Sequence, residues 1–210
     1  MGIFRELSKL IPNGGSIARK AGRATDKAIA HGAYQANRAS FFAEAERTGT
    51  RTTPAEFSVL PMTFAEFAAS PYNDLRTPIN TAVLLVVALG AYGHNRDEAI
   101  AMINYLRGSN PMNADDARLL DEAIAQNAGN LARSYLAGAT PQNGYTPSQP
   151  YTVTVTDNPY TYIDTSVEYA HLLVMCGGAD SPRTVTARRS GNGLWYLWEH
   201  SLLDNIRPTV

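Results

Sequence analysis

Over the first two thirds of this chain apolar residues return every three or four positions. In the last third they alternate one by one, a pattern that predicts a helical body followed by a sheet. Ile3, Phe4, Leu7, Leu10 and Ile11 share one face of a short helix over 3–11, with Arg5, Glu6 and Lys9 opposite, and Pro12-Asn13-Gly14-Gly15 ends it. From Ser16 to Arg47 the breakers are Gly22 and Gly32, which predicts a long helix with a seam of Ala18, Ala21, Thr25, Ala28, Gly32, Ala39 and Phe42. Side chains this small bury little area, so the seam gains stability only where another helix approaches closely. The segment lies on the body of its own chain, serves as a docking or self-association arm, or stays a partly disordered tail. Residues 48–62, with Pro54 and Pro61, read as a linker.

Four punctuated helices follow. Thr63 and Glu66 form a capping box for a short helix that stops before Pro71. Thr77 caps the next, with Pro78 at its first position, and TAVLLVVALGAY is apolar almost all round, as a central buried helix requires. Asn95 and Glu98 box a third, with Ile100, Ile103 and Leu106 inward and Gly108 as its stop. Asn113, followed by Asp115 and Asp116 where the helix dipole favours them, starts a fourth, with Leu119, Leu120 and Ile124 inward. A stub near Leu131–Leu136 precedes a Pro/Gly/Asn-rich stretch over 138–150.

Four strands close the chain. In YTVTVTD, Tyr151, Val153 and Val155 oppose Thr152, Thr154 and Thr156. Tyr169–Cys176 is apolar on both faces and is expected to be central. Arg183–Arg189 alternates again, and Asn192-Gly193 suits a type I′ turn into a last strand with Leu194, Tyr196 and Trp198 on one face and Trp195, Leu197 and Glu199 on the other. The fold expected is α+β: a helical cluster packed on a small, mainly antiparallel C-terminal sheet over 51–210, behind an N-terminal helical arm over 1–50.

Charge refines the picture of the arm. The 210 residues have a net charge of −1, which argues against bulk attraction to nucleic acid or an anionic membrane. Yet residues 1–40 carry seven basic groups against Glu6 and Asp26, and the three lysines (Lys9, Lys20, Lys27) all lie there. The longest apolar run, Ala82 to Tyr92, is about half of the ~20 residues a membrane span needs. Charged residues interrupt any secretory leader at the N-terminus, and Glu6 stands where a myristoylation motif wants Ser or Thr. The expectation is a cytoplasmic protein.

Chemistry is sparse. Cys176 is a single cysteine, expected to be buried and inert, so neither an internal disulfide nor a cysteine metal cluster is available. His31, His94, His171 and His200 are scattered and share no nucleophile or zinc spacing. The carboxylate pairs Asp97/Glu98, Asp115/Asp116 and Asp121/Glu122 fall on helix first turns or solvated faces. No cofactor is implied. Arg183, Arg188 and Arg189 near Trp195 resemble a base-stacking sheet face, against which stands a solvated face with cross-strand Arg–Trp contacts. The corner Gly177-Gly178-Ala179-Asp180-Ser181-Pro182-Arg183 is expected to close on an Asp180–Arg183 pair, with Arg183 available to a carboxylate or a peptide carbonyl.

Three tracts carry a resemblance: SPYNDLRTPINTAVLLVVALGAY (70–92), SYLAGATPQNGYTPSQPYTVTVTDNPYTY (134–162) and GGADSPRTVTARRSGNGLWYLWEHSLLDNIRP (177–208). Together they resemble an uncharacterised bacterial family over about residues 55–208. The resemblance implies the helical body and C-terminal β segment; it brings no activity, substrate or cofactor, and by analogy suits a binding role. The reading is therefore a non-catalytic interaction or scaffold domain. Phe4, Leu7 and Leu10 would meet a protein partner, a second copy or a membrane surface, and Asp180, Arg183, Arg188 and Trp195 would form a sheet-side contact. The alternatives are an enzyme with a dispersed site, for example a hydrolase using His171 or His94, and a weak single-stranded nucleic-acid binder.

Overall fold

A computed structural model describes residues 49–157, 161–162 and 169–210. The helices expected over 3–11 and 16–47, with Phe4, Leu7 and Leu10, lie outside the described residues.

The apolar run after Thr77 becomes the centre of the molecule. Helix α2 (Pro78–Ala91) buries residues on every side, from Ala82 through Leu89. Its start is fixed locally: the Thr77 hydroxyl accepts the Asn80 N–H at 3.3 Å, and Pro78 takes the first turn. Around it pack α1 (Phe64–Ala68) and α3 (Arg96–Arg107), followed in the chain by α4 (Ala114–Gln126). The boxes at Thr63–Glu66 and Asn113–Asp116 are both two-sided. The one expected at Asn95–Glu98 is one-sided: Asn95 caps the Asp97 and Glu98 N–H groups, while the Glu98 carboxylate accepts the Phe64 N–H at 2.6 Å and ties α3 to α1. Leu120 and Ala123 of α4 are buried, but Leu119, expected inward, is 50% exposed.

On the other side of α2 lies a five-stranded antiparallel sheet in the order β1-β2-β3-β4-β5: β1 (Arg51–Phe57), β2 (Tyr151–Asp157), β3 (Tyr169–Val174), β4 (Arg183–Arg189) and β5 (Trp195–His200). Val153, Val155, Ala170, Leu172, Val174, Val185 and Ala187 face inward, and α2 packs across β2 to β5. A fifth strand corrects the linker expected over 48–62. Residues 51–57 pair with β2 from Arg51↔Asp157 to Phe57↔Tyr151, with Ala55 and Phe57 buried. Pro54 is tolerated because β1 is an edge strand with one neighbour. Arg51 closes its end with a two-point bond to Asp157 (Nε 3.2 Å, Nη2 2.6 Å).

The β4–β5 connection differs from expectation too. Gly193 lies at φ 82°, but Asn192 is not at positive φ, so the turn is not type I′. Ser190 O accepts the Gly193 N–H and Ser190 N–H donates to Leu194 O, both at 2.9 Å, as in a three-residue hairpin loop that ends on a left-handed glycine. Farther along, Ala187 pairs with Leu197 but Thr186 pairs with Glu199, so Trp198 sits in a bulge.

Candidate functional site

The Gly177–Arg183 corner is a structural junction. The expected Asp180–Arg183 pair does not form. Asp180 is bonded instead to the Arg207 guanidinium. Arg183 Nη1 reaches Asp204 Oδ2 at 3.3 Å, and its Nη2 donates to the Asn205 carbonyl at 2.9 Å. The reason is chain path: Arg183 opens β4 alongside the segment leaving β5, and that segment folds back over the corner. There the Arg207 N–H donates to Gly178 O (2.9 Å), Ile206 N–H to Asn127 Oδ1 (2.9 Å) and Val210 N–H to Pro141 O (3.2 Å). Tyr145, from the GATPQNGYTP tract, donates its hydroxyl to Arg207 O at 2.5 Å. A Cβ on Gly178 would stand 2.5 Å from that hydroxyl and 2.8 Å from Ile206 Cβ, so only glycine allows this approach. Two of the three tracts that carry the family resemblance, 134–162 and 177–208, thus hold each other.

Trp195 is also not the contact expected of it. It is 8% exposed, packed with Ala170 and Ala187 on the inward face, with Tyr162 edge-on at 6.1 Å. Its N–H donates to Leu75 O at 2.8 Å, and its carbonyl accepts the Thr81 hydroxyl at 2.7 Å. Trp198 occupies the outer face in its place. The Arg188 guanidinium lies 5.0 Å from the Trp198 ring centroid and 5.7 Å from that of Tyr169, while the two rings meet edge-on at 5.7 Å. Tyr169 also stacks on His171 at 6.5 Å, and His171 Nδ1 shares a hydrogen bond with Thr186 Oγ1 at 3.2 Å.

This cluster borders a groove between the C-terminal end of α3 and the β4–β5 hairpin. Its volume is about 550 Å³, within the range of small-molecule sites. Arg107, Arg188 and Arg189 line it, with Ser109, Asn110, Ser190 and Asn192 as neutral polar groups and Tyr196 and Trp198 as aromatic walls. Among the described residues, no carboxylate and no histidine is in the lining. The described residues between 49 and 210 belong to a stretch with ten arginines against fifteen carboxylates, so this basic hollow opposes the sign of its surroundings. Arg107 is partly neutralised: it meets Asp116 at 3.1 Å, and its Nε donates to Asn110 O at 2.9 Å. Arg51, Arg96, Arg118, Arg183 and Arg207 each face a carboxylate, whereas the contacts of Arg188 among the described residues are with aromatic rings.

Of the sequence candidates, Arg188 and Arg189 reach the groove, while Asp180 and Arg183 belong to the junction and Trp195 to the core. Arg107 and Trp198 emerge only in three dimensions, since α3 and the hairpin are some eighty residues apart in the chain. His94 is exposed in the turn between α2 and α3. His200 lies on the inward side of the sheet and accepts the Leu202 N–H at 3.2 Å, and burial pushes it down to about 4. Among the described residues no group of three or more His, Cys, Asp or Glu side chains could hold a metal ion, and no helix is long and apolar enough to cross a membrane. Cys176 is buried, with its thiol 3.4 Å from Ser134 Oγ.

No curated protein and no solved structure matches this chain. A family model described as a domain of unknown function, DUF6935, matches residues 59–210, from just after β1 through the tail that locks the corner, and the chain belongs to that family.

Proposed function

We propose that this protein is a non-catalytic interaction domain that recognises an anionic partner at the groove between α3 and the β4–β5 hairpin. One observation carries the reading: among the described residues the hollow is lined by three arginines and neutral donors, with no carboxylate or histidine. Guanidinium groups hold anions and position them, whereas acid–base chemistry needs a group that gains or loses a proton near neutral pH within reach of the reacting atoms. The histidines on which a hydrolase would draw are not in that lining: His171 is tied to Thr186 and stacked on Tyr169, and His94 lies in the turn between α2 and α3.

The N-terminal arm supplies the second half of the proposal. Phe4, Leu7 and Leu10 recur at a spacing of three in a segment rich in Lys and Arg, and the chain after it has an excess of carboxylates, so the two parts carry opposite charge. The arm joins the domain to a second copy or a protein partner in the bacterial cytoplasm.

Light scattering of the full chain across concentration and salt tests this reading. The expected mass exceeds the 22.8 kDa of one chain at low salt and falls to it when Phe4, Leu7 and Leu10 are all changed to Ser. A single-chain mass at every concentration removes the arm from the reading. Hydrolysis of an ester or peptide substrate that disappears in His171→Ala would replace it with the enzyme reading.

A further inference from the structure

We infer that the outward face of the sheet over β1 to β3 is a docking surface for the N-terminal arm of the same chain, with residues 33–47 lying across it. This surface is distinct from the groove, and residues 33–47 are distinct from Phe4, Leu7 and Leu10. Gly49, just ahead of β1, has φ 70°, the left-handed conformation in which helices commonly end, and β1 opens two residues later at Arg51. The helix expected over 16–47 thus has its stop where its pattern asks for one. Residues 48–50 reach about 11 Å at most, so that helix is tethered to the end of an edge strand. Consecutive elements joined this closely lie side by side, which leaves the helix one face of the sheet or the other.

The inward face is taken. Among the described residues α2 packs across β2 to β5 on that side. At its Arg51 end Asp157, in phase with Val153 and Val155, holds Arg51, and Trp195 packs there with Tyr162. The outward face is shallow. Thr52 and Pro54 of β1, Thr154 and Thr156 of β2 and Leu173 of β3 point away from α2, in the phase opposite to the buried residues. The Thr52 and Thr156 hydroxyls share a 3.3 Å bond, and the neighbouring Thr152 hydroxyl donates to Pro150 O at 3.1 Å. These hydroxyls meet their needs within the face and leave methyl carbons to a partner. A helix whose seam is glycine and alanine can approach such a surface closely enough to gain dispersion contacts along its length.

Length decides which part of the arm docks. At about 1.5 Å per residue, positions 16–47 make about 48 Å of helix. The seven-residue strands β1 and β2 run roughly 23 Å. The sheet therefore covers about fifteen residues of helix, those nearest the tether, with Ala39 and Phe42 as their part of the seam. The preceding half overhangs and carries Phe4, Leu7 and Leu10 clear of the body, where a partner can reach them.

Limited trypsin digestion of the full chain, read at Arg38 by mass spectrometry, tests the docking. Arg38 is expected to resist cleavage at every protein concentration, because a segment seated on its own sheet is held regardless of dilution. Thr154→Lys places a charge in the middle of the face and is expected to speed cleavage at Arg38 about tenfold or more, while Arg96 and Arg118 in the body stay uncut. Leu119→Lys, on the exposed side of α4, should change nothing. Phe42→Glu acts from the arm and should give the same loss of protection, so it stays informative if Thr154→Lys unsettles β2. Protection that falls on dilution would assign the face to the arm of a second copy and overturn the same-chain docking. Rapid cleavage at Arg38 in the unaltered chain, or protection indifferent to both substitutions, overturns the docking itself. The mass measurement on the Phe4, Leu7 and Leu10 variant decides the association separately.

Discussion

His200 shows how one side chain can set the pH response of this fold. Its ring lies inward beside β4, in the field of Arg107, Asp116 and Asp204, and burial is the largest cause of its fall to about 4. Above about pH 6.5, the ordinary value for the imidazole, it is neutral in folded and unfolded chains alike and stability is indifferent to its proton. As the pH falls from there towards 4, the unfolded chain takes up a proton that the folded ring refuses, so stability declines, by at most about 3 kcal/mol. Urea denaturation at half-unit pH steps should show this slope, and His200→Asn, which keeps an acceptor for the Leu202 N–H, should flatten it. A slope unchanged in the variant would assign the acid sensitivity to carboxylates such as Asp121, which Arg96 and Tyr92 hold below its usual range. At this scale the sequence is most readable where the partner is a near neighbour. Thr63, Thr77, Asn95 and Asn113 all cap the helices their positions predict, because each bond spans two or three residues. The same local logic pairs Asp180 with Arg183, and there it fails: each finds a partner more than twenty residues away, and sequence proximity cannot rank such a partner against a near one.

Among the elements, β1 separates what period reveals from what pairing decides. Thr53, Ala55 and Phe57 do alternate inward, but seven residues containing a proline look like a linker until β2 is available beside them. The bulge at Trp198 has the same origin, since alternation along β5 alone cannot reveal that β4 skips a residue opposite it. By contrast α2 is legible from its composition, because a helix apolar on every side has no stable place except the interior. The pairing pattern also orders local stability. β3 is bonded on both sides, whereas β1 has one neighbour and is held at its open end by the Arg51–Asp157 pair. Amide exchange should therefore release β1 first and β3 last, with Leu172 and Val174 among the slowest sites. Equal protection of β1 and β3 would mean that another surface covers the β1 edge.

For the molecule as a whole, the two features that matter most are both assembled from distant segments. The groove joins the end of α3 to the β4–β5 hairpin, so its three arginines read in sequence as an ordinary helix end and a charged strand. The junction joins the 177–183 corner, the 138–146 loop and residues 204–210, and it fastens that last segment to the corner, to the loop and to Asn127 at the end of α4. That arrangement predicts energetic coupling between residues with no local relation. Gly178→Ala would push a methyl carbon to within 2.8 Å of Ile206 Cβ and 2.5 Å of the Tyr145 hydroxyl, an overpacking expected to cost about 1–3 kcal/mol. Ile206→Ala keeps the Cβ, but its shortened side chain leaves the tail free to shift, so the double variant should lose less than the sum of the single ones. Urea denaturation of the four proteins in a double-mutant cycle measures the difference, expected at about 0.5 kcal/mol or more for residues in direct contact. Strict additivity would show that the tail is anchored by its backbone hydrogen bonds to Gly178, Asn127 and Pro141 and yields around the new methyl group without loss.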